Sequence, residues 1–251
     1  MNWALLFGAG VLGGLAGSIA GLASVATYPA LLLVGLPPLL ANVTNTVALV
    51  FSGIGSVWGS RPELEGQGAW LKRIAPVALL GGAAGAALLL STPAEGFEKI
   101  VPILIGLASV AIVVPHRASR PARVSSHHRH RVTVALEAAA IFLICIYGGY
   151  FGAAAGVLLL ALLLRAGGAG LAHANAGKNV ILAVANTTAA VIFVVIAPVD
   201  WPAVVAVGFG CLLGSRLGPV VVRHAPAWPL RVGIGVAGLA LAVKLGIDAY
   251  P

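Results

Sequence analysis

The sequence predicts an all-α polytopic membrane protein of two inverted-topology repeats, each with about five apolar segments and with Gly/Pro-broken or re-entrant helices. Three observations carry this. The 251 residues are 60% hydrophobic and 9% charged, with a mean hydropathy of +1.03, and a soluble domain of that length needs more charge on its surface. Several apolar stretches approach the roughly 20 residues that span a bilayer. The second half of the chain also echoes the first at a near-constant offset.

Apolar runs bounded by charge, Gly or Pro fall at about 3–20, 23–36, 39–59, 74–91, 98–115, 133–150, 152–165, 178–197, 202–222 and 229–247. The first has no Lys or Arg before it, so it does not read as a secretory signal peptide. The first two of each half are short enough to be half-helices that turn back inside the membrane. Between segments five and six lies RASRPARVSSHHRHR, the one long polar stretch, at 117–131. It divides the chain into a first repeat at 1–116, a basic linker at 117–131 and a second repeat at 132–251.

The repeats correspond in detail. GSIAG at 17–21 matches GGYFG at 148–152, and Ala41-Asn42 matches Ala172-His173, both at an offset of 131. GGAAG at 81–85 matches GCLLG at 210–214 with a drift of two. Duplications of this kind are the usual signature of secondary transporters. Five crossings per half, or three plus a re-entrant hairpin, are odd numbers, and either inverts the second half relative to the first.

Charge placement tests that topology independently. A net charge of +8 raises nucleic acid as a partner, but the basic residues lie between apolar segments, where they set orientation. With the linker cytoplasmic, the inner loops hold Arg61, Lys72, Arg73, the linker arginines, Arg165, Lys178, Arg216, Arg223 and Arg231. Only Lys99 and Lys244 of the 15 basic residues fall outside, together with Glu95, Glu98, Asp200 and Asp248. The expectation is a multi-pass protein of the cell membrane with extracytoplasmic termini. Trp3, Trp58, Trp70, Trp201 and Trp228 all lie near segment ends, as an interfacial belt requires.

Several motifs are read as packing. GAGVLG at 8–13 and GIGVAG at 233–238 match the dinucleotide fingerprint but lack the surrounding βαβ pattern. Gly13/Gly17/Gly21 and Gly210/Gly214/Gly218 place small residues on one helical face for close helix contact. Cys145 and Cys211 read as small buried hydrophobes, and HHRH at 127–130 as solvated linker. No cofactor and no metal site is expected.

The polar residues inside the apolar segments are the functional signal. Asn42, Thr44, Asn45 and Thr46 follow the GLPP break and return in altered form as His173, Asn175, Lys178 and Asn179 after RAGGAG, with Asn186 deeper along the same helix. A helix start offers unpaired N–H groups and partial positive charge, which attract anions. Lys178 adds a full charge, and the alternative for it is a helix anchor at the cytoplasmic face. In hydrocarbon such groups must face the protein interior or water. The breaks GLASVATYP at 21–29 and GGYFGAAAG at 148–156 allow backbone N–H groups to approach a ligand. There Ser24 and Thr27 supply either ligand contacts or internal helix hydrogen bonds. Glu137, the carboxylate placed within an apolar segment, either carries a coupling proton or snorkels beside Arg131.

GLAS…YPALL at 21–32, ANVTN at 41–45 and AHANAGKN at 172–179, with Asn186 and Val-Asp-Trp at 199–201, resemble the sulfite exporter TauE/SafE permease family. The resemblance covers nearly the whole chain. It departs where the family's GxGGG turn is Gly21-Leu22-Ala23-Ser24, with one glycine, and where Thr46 stands in place of a frequent Lys. It implies a secondary transporter, not an enzyme, that moves a small sulfur-containing anion such as sulfite or an organosulfonate by alternating access. The substrate-binding candidates are Ser24, Thr27, Asn42, Thr44, Asn45, His173, Asn175, Lys178, Asn179 and Asn186. The expected partners are the small anion and the lipid bilayer, with a homodimer left open and nucleic acid excluded. The competing classes are a membrane enzyme acting on a lipid or anionic headgroup and a non-transporting accessory protein.

Overall fold

The structure is a computed structural model, which describes residues 2–93, 95–97, 99, 100, 103, 131–167, 170–224, 236, 239, 240, 243 and 247. Among the described residues the elements are all helical. They are α1 (Trp3–Ala20), α2 (Ala23–Leu33), α3 (Pro38–Gly59), a short α4 (Arg61–Leu64), α5 (Gly68–Ser91), α6 (Arg131–Tyr150), α7 (Ala155–Gly167), α8 (Leu171–Ile196) and α9 (Trp201–His224). Six of these are long and apolar enough to cross a membrane, whereas α2 and α7 are not. Most of segments 98–115 and 229–247, and the linker up to residue 130, lie outside the described residues.

Local chemistry sets the element ends. Asn2 caps α1, its side-chain oxygen accepting from Leu5 N at 3.2 Å. Gly21 ends α1 in the left-handed region at φ +79°, which a residue with a Cβ adopts at a cost of about 1–2 kcal/mol. Gly152, at φ +71°, stands at the equivalent break after α6. GLPP acts as read: Gly35 turns at φ +92° and Pro38 occupies the first turn of α3, where its missing N–H is no loss. Asp200 caps α9 through Ala203 N at 2.9 Å.

Several boundaries move. The first segment is a full-length helix of 18 residues, about 27 Å at 1.5 Å per residue; only α2 and α7, of 11 and 13 residues, have half-span lengths. The segment expected at 178–197 starts at Leu171 and that at 74–91 starts at Gly68. In both cases a polar or charged stretch is helical because its backbone bonds continue through it. Gly21 and Gly152 keep the expected offset of 131, while α5 and α9, like α3 and α8, start 133 apart.

Glycines fix how the helices meet. A methyl on Gly10 or Gly14 of α1 would strike backbone at Val207 and Cys211 of α9, and a methyl on Gly210 or Gly214 would strike Phe7 and Val11 in return. Residue numbers rise together, so α1 and α9 run in the same direction. α5 and α6 repeat the arrangement, with Gly81 against Cys145 and Gly85 against Ile146. At the centre α3 and α8 cross antiparallel: Gly53 faces Ala183, and Asn179 Nδ2 donates to Ser60 Oγ at 3.1 Å. The larger core joins α1, α2, α3 and α9 around Tyr28, Phe97 and Phe151, and a smaller one fills the space among α5, α6, α7 and α8. Cys145 and Cys211 are buried within them, as read.

Candidate functional site

Two helix breaks meet in the middle of the molecule. A methyl on Gly21 would strike the Cα of Gly156, and one on Gly156 would strike that of Gly21, so the two backbones touch with no side chain between them. Beside this contact lies a cavity of about 50 Å³. A water needs roughly 10–15 Å³ of such space, so the cavity suits a few waters or one compact ion.

Its wall mixes apolar side chains with hydroxyl and amide groups and carries no carboxylate among the described residues. Ser18 comes from the end of α1 and Ser24 from the start of α2, while Thr46, Ser52 and Ser56 form one stripe of α3. From α8 come Asn179 and Asn186, and Gly17, Gly21, Gly53, Gly148 and Gly152 supply bare backbone. The first turns of α2 and α7 also reach it, through Ala23 and Ala155. The positive poles of two helix starts therefore converge on one space, although Val25 N–H is bonded to Leu22 O, and Ala155 and Val157 N–H to Gly152 O and Ala154 O.

The hydrogen bonds divide these side chains into two sets. Ser18 bonds Gly14 O at 2.8 Å, Thr46 bonds Asn42 O at 3.0 Å and Ser56 bonds Gly53 O at 3.1 Å. Their protons are spent inside their own helices. Ser24 Oγ accepts from Asn45 Nδ2 at 3.0 Å, which leaves its own proton for the cavity. Ser52, only 8% exposed, and the half-buried Asn186 have no hydrogen-bond partner among the described residues. A buried polar group ordinarily has a partner. These two lack one on the wall of the cavity.

The remaining candidates sit behind the wall or away from it. Thr27 Oγ1 lies within hydrogen-bond reach of both Ala23 O and Asn45 Oδ1, so Thr27, Asn45 and Ser24 form one chain joining α2 to α3. Asn42 donates to Tyr150 O at 2.9 Å, at the open end of α6. Asn175 donates to Ser18 O at 2.9 Å, at the open end of α1. Each half thus caps the broken helix of the other. Thr44 Oγ1 accepts from Asp200 N at 3.2 Å, which ties the Val-Asp-Trp stretch to the first polar cluster. His173 is exposed, with its carbonyl accepting from Gln67 Nε2 at 3.1 Å. Glu137 is half-buried on α6 and does not line the cavity.

Lys178 is fully buried. Its Nζ donates to Gly17 O at 3.0 Å and Ser18 O at 3.2 Å. These carbonyls end α1, where the helix dipole is negative, and both residues line the cavity. The ammonium therefore neutralises a negative pole that would otherwise face the cavity, and it does so from behind the wall. Apart from His173 in the first turn of α8, both polar clusters also lie one to two turns inside their helices: Asn42 is the fifth residue of α3, and Asn175 the fifth of α8. The helix starts that reach the cavity are those of α2 and α7.

Sequence reasoning did not select Ser52, Ser56 or Ser18. The signal for the first two was the spacing Thr46–Leu49–Ser52–Gly53–Ser56, a hydroxyl-bearing stripe on an otherwise apolar helix. No group of His, Cys, Asp and Glu among the described residues is arranged to hold a metal.

A sequence model of the family described as Sulfite exporter TauE/SafE matches residues 6–245. The chain is 28% identical to the probable membrane transporter protein ORF9 of Sinorhizobium sp, over 98% of this chain and 92% of that protein. It is 26% identical to the probable membrane transporter protein YfcA of Escherichia coli K12, over 98% and 90%. A probable membrane transporter protein of Haemophilus influenzae Rd is 24% identical, over 98% and 94%. No solved structure matches the chain.

Proposed function

We propose, from the premise that the chain belongs to the sulfite exporter TauE/SafE family, that it is a permease carrying a small oxyanion through the central cavity. The substrate is a sulfur oxyanion or organosulfonate, and transport proceeds by alternating access of two inverted halves, 1–116 and 132–251, joined by a cytoplasmic linker at 117–131. The antiparallel crossing of α3 and α8 and the reciprocal capping of α1 by Asn175 and α6 by Asn42 support that symmetry. Orientation follows the basic face. The Arg223–Glu63 pair joins the end of α9 to α4, and Gln67 joins the start of α5 to the start of α8; this is the cytoplasmic side.

The observation that carries the reading is the donor set of the cavity. Ser24, Ser52 and Asn186 offer protons there, two helix starts add positive partial charge, and Lys178 offsets the negative pole at the end of α1. An anion needs such donors to replace its water. With a single ammonium behind the wall, the reading favours a monoanion, a sulfonate or hydrogen sulfite, over a dianion.

A thermal-unfolding screen of the detergent-solubilised protein tests it, because a ligand of the folded state raises apparent stability by mass action. Sulfite or a short alkanesulfonate is expected to raise Tm, and ammonium or choline at equal ionic strength is not. Equal shifts from anions and cations would remove the donor-set argument.

A further inference from the structure

On the other side of the α3–α8 crossing lies a second, larger space. It is a groove of about 410 Å³ that shares Gly53 and Ala183 with the central cavity. One wall is the stripe Val50, Ile54 and Val57 of α3, and the other is Ala183 and Thr187 of α8. Ile54 is 55% exposed and Trp58 45%, so the groove opens on the outer surface of the bundle. Its apolar floor runs from Val50 to Trp58, about 12 Å along α3 at 1.5 Å per residue.

The cytoplasmic end of this groove is built differently. The Trp58 ring carries two guanidinium groups, Arg216 with Cζ 4.0 Å from the ring centroid and Arg61 at 5.8 Å. Neither arginine has a carboxylate or carbonyl partner among the described residues, whereas neighbouring Arg223 is taken up by Glu63 and by Gly59 O at 2.8 Å. A guanidinium held over an aromatic ring keeps N–H groups for an anion. Two sets of open donors thus stand at the mouth of an apolar slot, at the depth where an interfacial Trp sits. An exposed apolar groove suits an acyl chain, and paired cations at its mouth suit a phosphate. A neutral lipid would use the first feature and leave the second idle.

We propose that this groove is a binding site for an anionic phospholipid of the cytoplasmic leaflet, its phosphate held by Arg61 and Arg216 around Trp58 and one acyl chain lying between α3 and α8. Basic pockets between membrane helices on the cytoplasmic side hold anionic headgroups for the same reason. The lipid would lie directly behind Gly53 and Ala183, the contact that separates it from the central cavity.

The test uses purified, delipidated full-length protein in an uncharged detergent, titrated with phosphatidylglycerol or phosphatidylcholine of the same acyl chains while Tm is followed. Phosphatidylglycerol is expected to raise Tm at lower concentration than phosphatidylcholine. The double variant Arg61→Gln/Arg216→Gln should weaken the phosphatidylglycerol response about tenfold or more and leave the phosphatidylcholine response in place. Thr187→Trp, which fills the groove from α8, should weaken it with both arginines intact. Equal responses to the two lipids, or an unchanged response in the double variant, would overturn the proposal. Glycerol phosphate alone matching phosphatidylglycerol would show a site for a soluble oxyanion, and a Tm set by protein concentration rather than lipid would show a second copy in the groove; both results also overturn it.

Discussion

Ser52 and Lys178 show how differently two buried polar residues serve one cavity. Ser52 faces the space and has no hydrogen-bond partner among the described residues, so its removal should cost the ligand and not the fold. A neutral hydrogen bond is worth about 0.5–1.5 kcal/mol, so Ser52→Ala and Asn186→Ala should each weaken oxyanion affinity by about 2- to 10-fold with little change in Tm. Lys178 instead holds two carbonyls at the end of α1. Lys178→Met should lower Tm and also weaken binding, because the positive charge behind the wall is lost, by less than the roughly 10- to 100-fold of a direct charged hydrogen bond. Titration calorimetry normalised to folded protein, run beside thermal unfolding, checks both. Unchanged affinity in Lys178→Met would reduce the lysine to a helix anchor.

At the scale of elements, the fold depends on where helices are allowed to stop. Gly21→Ala combines left-handed strain with a collision against Gly156 and should yield no folded protein on size-exclusion chromatography. Gly35→Ala carries the same kind of strain at φ +92° but has open space around it, so it should fold with a loss of about 1–2 kcal/mol. A folded Gly21→Ala would mean that the two breaks do not meet. Between α4 and the end of α9, the hydrogen bonds from Arg223 hold the Glu63 carboxyl below the usual carboxylate range, against a smaller opposing effect of burial. A lowered folded-state pKa stabilises at pH above the unfolded value and is lost as pH falls through the folded one. Wild type should therefore lose about 1 kcal/mol or less relative to Glu63→Gln on acidification below pH ~4; parallel pH profiles of the two proteins would contradict the pairing.

The element scale also shows what was legible in the sequence. The breaks were, because Gly21, Gly35 and the Pro37-Pro38 pair permit only a few backbone states. The early start of α8 was not: AHANAGK lacks an apolar period, yet its alanines favour helix and its polar groups find partners across the bundle. The polar clusters read as ligand sites from sequence, but a broken helix leaves carbonyls that need donors, and Asn42 and Asn175 meet that need. Ser52 escaped notice because a lone serine in an apolar helix resembles a small packing residue. Only the geometry of the α3–α8 crossing shows that it faces a space.

For the whole molecule, orientation and transport remain coupled. Glu95→Cys, exposed at one face, should react with an impermeant thiol reagent from outside intact cells, and Glu65→Cys, exposed beside α4, should not. The opposite pattern would turn the protein over and place the groove of Arg61 outside. Passage of a small oxyanion through this bundle is read from uptake of radiolabelled sulfite or a short sulfonate into proteoliposomes under an imposed ion or substrate gradient. Uptake should be gradient-dependent and saturable, exceed that of protein-free vesicles, and fall in the folded Ser52→Ala and Asn186→Ala variants. Uptake no greater than in protein-free vesicles for every such anion, or uptake unaffected by both variants, would contradict it.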